Sequence, residues 1–443
     1  MKNHDLTWRP EPPFVRLNST ILTHEGGPVL LELGDGESAE SLLSRWNTGL
    51  TADDGQDWFF DRGTSAMAEW LHLFDLLIDS GRLSPSIAGP DGDIVTLSRH
   101  EGDVGTYTGV HAANDCSLVL GHDVVVMRRG DSWSMESPQG RAVALVHDSV
   151  MRVIVTPADS DGVNLTARAL LREAGILVDP VAPSLELWEA HDRYFHWRTR
   201  RGRHPFVVGA TYPLRNHMPP LPITEVPKHD LEFDIAAEAS PESDALTMPL
   251  SVVLHRRAST RESKTPMSIR QLADFCMAHR VLSTVHVSSD VEYPQSRRLY
   301  PGGGASYELD LVMTTSGVGS LPEGVWWFDA ERVTLCRLTS EPTHIQALFA
   351  DAMISTGGIG KIEVLVSYAL RMGRNSWKYE GMAYRLALLD AGVLYGHAYL
   401  LGAALGVGIC GLGNGDSSVL ARATADSGVD LVSVAEVMLS GSR

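Results

Sequence analysis

Hydrophobic positions along this chain change their period several times, and each change marks an element. An apolar run over 27–33 reads as a strand, whereas 39–46 and 66–83 space their apolar residues as one face of a helix does. The second of these helices ends in LIDSGRL. Further on, after alternating runs at 124–127 and 143–155, a helical pattern over 166–177 ends in LREAGIL. In both endings a glycine follows the helix and a leucine stands two positions beyond it, as a glycine cap leading into a strand requires. The repetition predicts two small strand-plus-helix units, 1–95 and 96–180, each resembling a winged helix.

The pattern then breaks. Between 186 and 216 Arg193, Arg198, Arg200, Arg201 and Arg203 form the densest basic cluster of the chain, interleaved with His191, His196 and His204. Those histidines match no common zinc spacing and point to packing among aromatic rings and guanidinium groups rather than to a metal. Residues 217–249, rich in proline and acids, complete a basic segment and linker over 181–249. Beyond it, the run 250–255 leads into RRASTR, and helical spacing at 269–279 and 384–406 mixes with strand-like runs at 307–314, 325–329 and 361–370. Without a regular βαβ alternation, this predicts an α+β domain over 250–443.

Composition narrows the function. A chain of 443 residues with 55 acidic against 37 basic side chains carries a formal charge of -18, which repels phosphate backbones, so nucleic acid is not the expected partner. The four cysteines are far apart in sequence and form no CxxC pair, which argues against zinc and disulfides and for a reducing cytoplasm. The opening MKNHDLTWRPEPP lacks the apolar core of a secretory signal. The stretch 391–409 is long enough to span a bilayer, yet Gly392, Gly396, Gly402 and Gly406 form two i,i+4 pairs that permit close helix packing. The centre of an oligomer, rather than a membrane, is the expected setting.

Three segments of the last domain carry chemistry. Arg257, Ser259 and Arg261 alternate, so two guanidinium forks and a hydroxyl can converge on a phosphate; a solvated turn would look the same. In RLYPGGGASYELDLV, Gly302, Gly303 and Gly304 follow Arg298, and the missing Cβ atoms let backbone amides approach a flat or anionic ligand, or simply form a flexible turn. In NSWKYEGMAYR, Lys378 adjoins Tyr379. A neighbouring ammonium favours the phenolate, while burial of both makes the lysine easier to deprotonate, so the pair can move protons.

In this order the segments resemble the SagB-type branch of the nitroreductase superfamily, the azoline dehydrogenases of ribosomal peptide biosynthesis. RASTR at 257–261, RLYPGGGA at 298–305, SWKYEGMAYRLALLDAG at 376–392 and GLGNG at 411–415 carry the likeness, and FHWRTRRGRH resembles a stretch that precedes the flavin domain in that branch. Ala258 and Gly302 stand where the family often has more polar residues, and Asp390 replaces a common glutamate. The resemblance implies a nitroreductase-like FMN domain. Arg257, Ser259 and Arg261 would hold the phosphate and ribityl end, and Arg298 with Gly302, Gly303 and Gly304 would line the flavin. Gly411 and Gly413 would approach the isoalloxazine, and Lys378 and Tyr379 would be the catalytic pair. It also implies oxidation of thiazolines or oxazolines in a modified precursor peptide to thiazoles or oxazoles. In that reaction a base removes the Cα proton and hydride passes to the flavin. The implied assembly is a homodimer whose interface completes the site, acting with a cyclodehydratase. The N-terminal units would grip a leader peptide or dock that partner.

Two other classes fit parts of the chain. An NAD(P)H-dependent nitro or quinone reductase shares the flavin site but has no use for the long N-terminal extension or for Lys378 beside Tyr379. A non-catalytic scaffold of a peptide-modifying complex would use the N-terminal units and bind no flavin.

Overall fold

The computed structural model describes residues 6–10, 15–16, 21–24, 27–30, 44–47, 57, 60, 63–79, 83–89, 92–100, 118–155, 162–180, 187–241, 246–285 and 293–442. The chain divides into two compact units, 1–207 and 208–443. The fold is α+β.

The first unit is built on an antiparallel sheet of six strands: Leu6–Pro10 (β1), Leu83–Gly89 (β2), Gly92–Arg99 (β3), Val125–Arg129 (β4), Ser132–Glu136 (β5) and Ala142–His147 (β6). Their order is β1-β2-β3-β6-β5-β4. Helices Thr64–Asp79 (α1), Asp148–Val155 (α2) and Gly162–Glu173 (α3) lay Trp70, Phe74, Leu77, Val150, Leu170 and Leu171 onto Leu97, Ala144 and Val146 of the sheet. Strand β3 straddles the expected boundary at 95 and 96 and pairs with β2 on one side and β6 on the other, so the two repeats share one sheet and one core.

The α3 terminus shows the capping geometry that the repeat suggested. Gly175 takes φ +74, its N–H donates to Arg172 O, and Ile176 N–H reaches back to Leu171 O at 2.9 Å. In the first repeat α1 stops at Asp79 and Leu83 opens β2 rather than closing the helix; Gly81 and most of 39–46 lie outside the described residues. The run 143–155 is two elements, not one. Alternation ends at His147, and α2 starts at Asp148, whose carboxylate suits the positive helix N-terminus and takes Arg128 at 2.8 Å.

The basic segment packs by aromatic contact. Helix Ala190–Arg198 (α4) carries Trp197, whose ring meets His204 at 5.2 Å and His100 at 5.6 Å, while the Arg198 guanidinium stacks 3.6 Å from the Phe206 ring centre. Tyr194 donates to buried Glu136 at 2.9 Å.

The second unit is built on a sheet of seven antiparallel strands: Leu231–Phe233 (β7), Leu309–Thr315 (β8), Gly324–Asp329 (β9), Thr334–Thr339 (β10), Val364–Leu370 (β11), Gly408–Leu412 (β12) and Val432–Ser440 (β13). The order is β7-β10-β9-β8-β11-β13-β12. Every residue of β8, β9 and β11 is buried, because helices cover both faces. Leu250–Arg256 (α5), Ile269–Met277 (α6) and Ala383–Leu405 (α9) lie with one core cluster, and Pro342–Ser355 (α7) and Ser417–Ala423 (α10) with the other.

The expected linker over 217–249 is instead part of this unit. Its residues 231–233 form the edge strand β7, and its backbone carbonyls are held by two buried arginines, Arg371 just before Met372–Lys378 (α8) and Arg374 within it. Arg371 pairs with Asp310 at 2.9 Å and donates to Pro222 O, and Arg374 donates to Leu221 O and Pro222 O at 2.8 and 3.0 Å. Proline supplies carbonyls without competing N–H groups, which suits a segment read by guanidinium forks.

Helix α9 buries Ala387, Ala391, Leu394, Ala398 and Leu401, a stripe at three- and four-residue spacing. Tyr384, Leu388 and Leu389 on other faces are exposed. Among the described residues α9 is the one helix long and apolar enough to cross a membrane, and the buried stripe packs against the sheet. It ends on Gly406 at φ +70.

Candidate functional site

Two clusters gather the residues singled out in the sequence. The first forms where α8 ends and the glycine turn before β8 begins. Lys378 is the last residue of α8 and only 7% exposed, and its Nζ donates to Gly304 O at 2.9 Å. The same ammonium lies 5.1 Å from the ring centre of Tyr293 and 5.3 Å from that of Tyr379. Gly304 has φ +59, and a Cβ there would collide with the Tyr379 hydroxyl and with Lys378 Nζ. The turn is therefore glycine because its own side-chain space is taken by the catalytic candidates. That differs from the expectation of amides open to a ligand: Gly303 N–H is already given to Asp390 Oδ2 at 2.7 Å, and the amides of Ala305 and Ser306 close on Gly302 O and Gly303 O.

Burial dominates the electrostatics here. It lowers the Lys378 pKa from its ordinary value, helped by the Arg374 charge. The same burial, reinforced by Tyr293, Tyr212, Glu308 and Asp390, pushes Tyr379 up to about 12. The phenolate expected from an adjacent ammonium is thus disfavoured, because desolvation and neighbouring negative potential outweigh it. Of the pair, the lysine is the easier group to find deprotonated. Beneath the turn, Glu308 is fully buried and raised to about 8, by burial first and then by Asp390. Arg298, also buried, donates to Tyr300 OH at 3.0 Å and lies 4.9 Å over the Tyr307 ring, while its Nε and Nη2 have no partner among the described residues.

The second cluster surrounds Tyr399 of α9. Its hydroxyl accepts Gly411 N–H at 2.9 Å and shares a hydrogen bond of 2.9 Å with Ser259 Oγ. The exposed Arg257 guanidinium stands 5.6 Å from its ring centre. Tyr399 and Arg257 border a cleft of about 470 Å³ lined also by Arg256, Gly402, Gly406 and Ile409 among others. Arg261 is exposed and does not line it; its backbone packs against Gly360. Gly413 is exposed, with open space where a Cβ would be.

The two clusters are not one site within a single chain. Asp390 beneath the first and Tyr399 in the second are nine residues apart on α9, about 13 Å along the axis and about half a turn around it.

Tyr293, Tyr399, Glu308 and Arg374 escaped the sequence reading. Glu308 sat inside the quoted glycine segment, but nothing in one sequence shows that a glutamate will be buried. Tyr399 lies in an apolar helical run where a tyrosine reads as packing. Elsewhere, His229, Glu232 and Cys336 bring potential ligand atoms within 4.8 Å of one another. Arg332 donates to both Glu232 oxygens and to Cys336 Sγ, which already supplies the cluster's positive charge.

No protein-family model matches the chain. A protein of Methanocaldococcus jannaschii named as a candidate nitroreductase is 24% identical over 172 residues, covering 38% of this chain and 81% of that protein. Among solved structures, a candidate nitroreductase of Ralstonia eutropha is 17% identical at a TM-score of 0.36, covering 51% of this chain and 99% of its own. The microcin synthetase McbBCD complex of E. coli, with truncated pro-MccB17 bound, is 20% identical at a TM-score of 0.33, covering 42% of this chain and 70% of its own. A candidate nitroreductase of Anabaena variabilis is 14% identical at 0.40, covering 68% and 55%.

Proposed function

We propose that this chain is an FMN-dependent dehydrogenase of the SagB-type nitroreductase branch that oxidises thiazolines or oxazolines of a modified precursor peptide to the aromatic azoles. The observation that carries the reading is the meeting of Lys378 and Tyr379 with the glycine turn, where two proton-bearing groups occupy the space of the missing Gly304 side chain. A reductase supplied with electrons by NAD(P)H needs no such pair. The curated relative's name supports oxidoreductase chemistry in general.

The residues present fit a flavin mononucleotide. Arg256 and Arg257 offer cations beside a cleft with a floor of small residues, Ser259 and Gly411 are fixed by Tyr399, and the buried Arg298 keeps two guanidinium nitrogens unpaired. Bound flavin supplies the electron sink. Arg257, Ser259 and Gly411 would form one half of its site, and Arg298, Gly302, Gly303 and Gly304 the other; Arg261 and Gly413 do not line the cleft. A homodimer brings the halves together. Its interface is the outer face of α9, where Leu388 and Leu389 are exposed and Gly392 and Gly396 have open space in place of a side chain. The chain's own residues then do three things. Arginines neutralise the phosphate, Gly304 O orients Lys378, and neutral Lys378 takes the substrate's Cα proton with Tyr379 beside it. The N-terminal unit binds the leader peptide or a cyclodehydratase, and the assembly works in the cytoplasm.

The test is direct. Purified protein should carry FMN, and incubation with an azoline-containing precursor should remove two hydrogens per ring, read by mass spectrometry. Protein that binds FMN, leaves azolines untouched and consumes NADPH with a nitroarene would replace this reading with the reductase.

A further inference from the structure

Glu308 is buried completely, and among the described residues no side-chain donor reaches its carboxyl group, which has only its own backbone N–H. Its backbone is fixed, since Arg371 N–H donates to Glu308 O at 2.9 Å. A cation acting on it, Arg374, spends its donors on the carbonyls of Ser306, Leu221, Pro222 and Pro294. The group that Glu308 does meet is another carboxylate, Asp390 of α9, within hydrogen-bonding reach. Two carboxyl groups form a hydrogen bond only when one of them carries a proton. An ionised carboxylate in the interior with only its own backbone N–H as donor is costly, which favours the proton on Glu308.

We propose that Glu308 and Asp390 hold a single proton between them, and that this proton positions the glycine turn and, through it, Lys378. The chain of contacts is short. Protonated Glu308 donates to Asp390; Asp390, kept ionised, accepts Gly303 N–H at 2.7 Å; the next residue, Gly304, turns its carbonyl to Lys378 Nζ at 2.9 Å. Glu308 touches neither substrate nor cofactor and is a positioning residue. Loss of the shared proton leaves two adjacent negative charges, which repel and release the turn. The groups facing the pair are Arg374 on α8 together with Tyr293 and Tyr379. Arg374 stabilises the ionised form of Glu308 and opposes the effect of burial, whereas the two tyrosines are neutral at neutral pH. The net direction is upward, with Glu308 at about 8.

This inference rests on the proposed role of Lys378, and its test separates the two. Infrared spectra of the full-length protein should show a protonated-carboxyl band at neutral pH that disappears around pH 8. Glu308→Gln should abolish the band. Asp390→Asn, which supplies an amide donor and removes a charge, should move its disappearance to lower pH. In azoline turnover, Glu308→Ala should slow the reaction by about 10- to 100-fold, the scale of a small misplacement. Glu308→Gln, whose amide donates to Asp390 at every pH, should restore most of the rate and remove the wild-type fall on the alkaline side. A wild-type spectrum without the band, or a band unchanged in Glu308→Gln, overturns the shared proton. An alkaline fall that persists in Glu308→Gln overturns its control of the turn. A wild type that shows the band but never oxidises azolines leaves the pair standing and removes the dehydrogenase reading.

Discussion

At the residue scale, proton transfer turns on which member of the Lys378 and Tyr379 pair gives up its proton more readily. With Tyr379 near 12 and Lys378 lowered by burial, neutral lysine is the proposed base. Turnover should therefore rise with pH along a limb set below the ordinary lysine value and governed by Lys378. Lys378→Met should lose about 10²- to 10⁴-fold in rate while retaining FMN, and Tyr379→Phe should lose less. Equal losses, or a limb that survives in Lys378→Met, would place the base on the tyrosine. Gly304→Ala offers a second check. A methyl group there meets the Tyr379 hydroxyl on a backbone already at φ +59, so turnover should collapse and the melting temperature should fall, as calorimetry would show. The dipeptide and the glycine turn were legible in the sequence as separate motifs, because residue type and order are written there. That one fills the other's missing side chain was not legible, since it depends on how β8 and α8 are brought together.

At the scale of elements, α9 serves several purposes. Its inner stripe is core, its flank carries Asp390 and Tyr399, and its outer face holds two glycines with open space above them. Gly396→Trp should give a monomer by sedimentation and reduce FMN retention, if both halves of the site need a partner subunit. Tyr399→Phe removes the acceptor of Gly411 N–H and the partner of Ser259 Oγ. It should weaken FMN binding by about 1 to 2 kcal/mol, measured by fluorescence titration. Helical periodicity located α9 to within a residue or so at each end, and its burial was expected. The proline-rich stretch was misread for a physical reason. Composition marks it as unable to form regular structure, but not as a row of carbonyls awaiting Arg371 and Arg374, which lie some 150 residues further on.

At the scale of the molecule, the buried Glu308 links folding to pH. Its folded value of about 8 exceeds the ordinary 4.5, so between those values the folded state binds more protons than the unfolded one. The contribution is fully present below about 4.5 and is lost as pH rises through 8, amounting to a few kcal/mol. Denaturant titrations from pH 5 to 9 should show stability falling with pH, and Glu308→Gln should flatten the slope. A further consequence concerns synthesis. The strap over 209–223 is tied to partners 148 to 171 positions later in the chain: Arg371 grips Pro222 and Ile223, and Gly209 pairs with Glu380. The strap therefore leaves the ribosome well ahead of everything that will hold it, and its proline-rich backbone stays unpaired until the last third of the protein is made. Closure of these long loops is a late, slow event. A nascent chain paused before Arg371 should thus be cut readily by protease within the strap, while the first unit resists as a folded body.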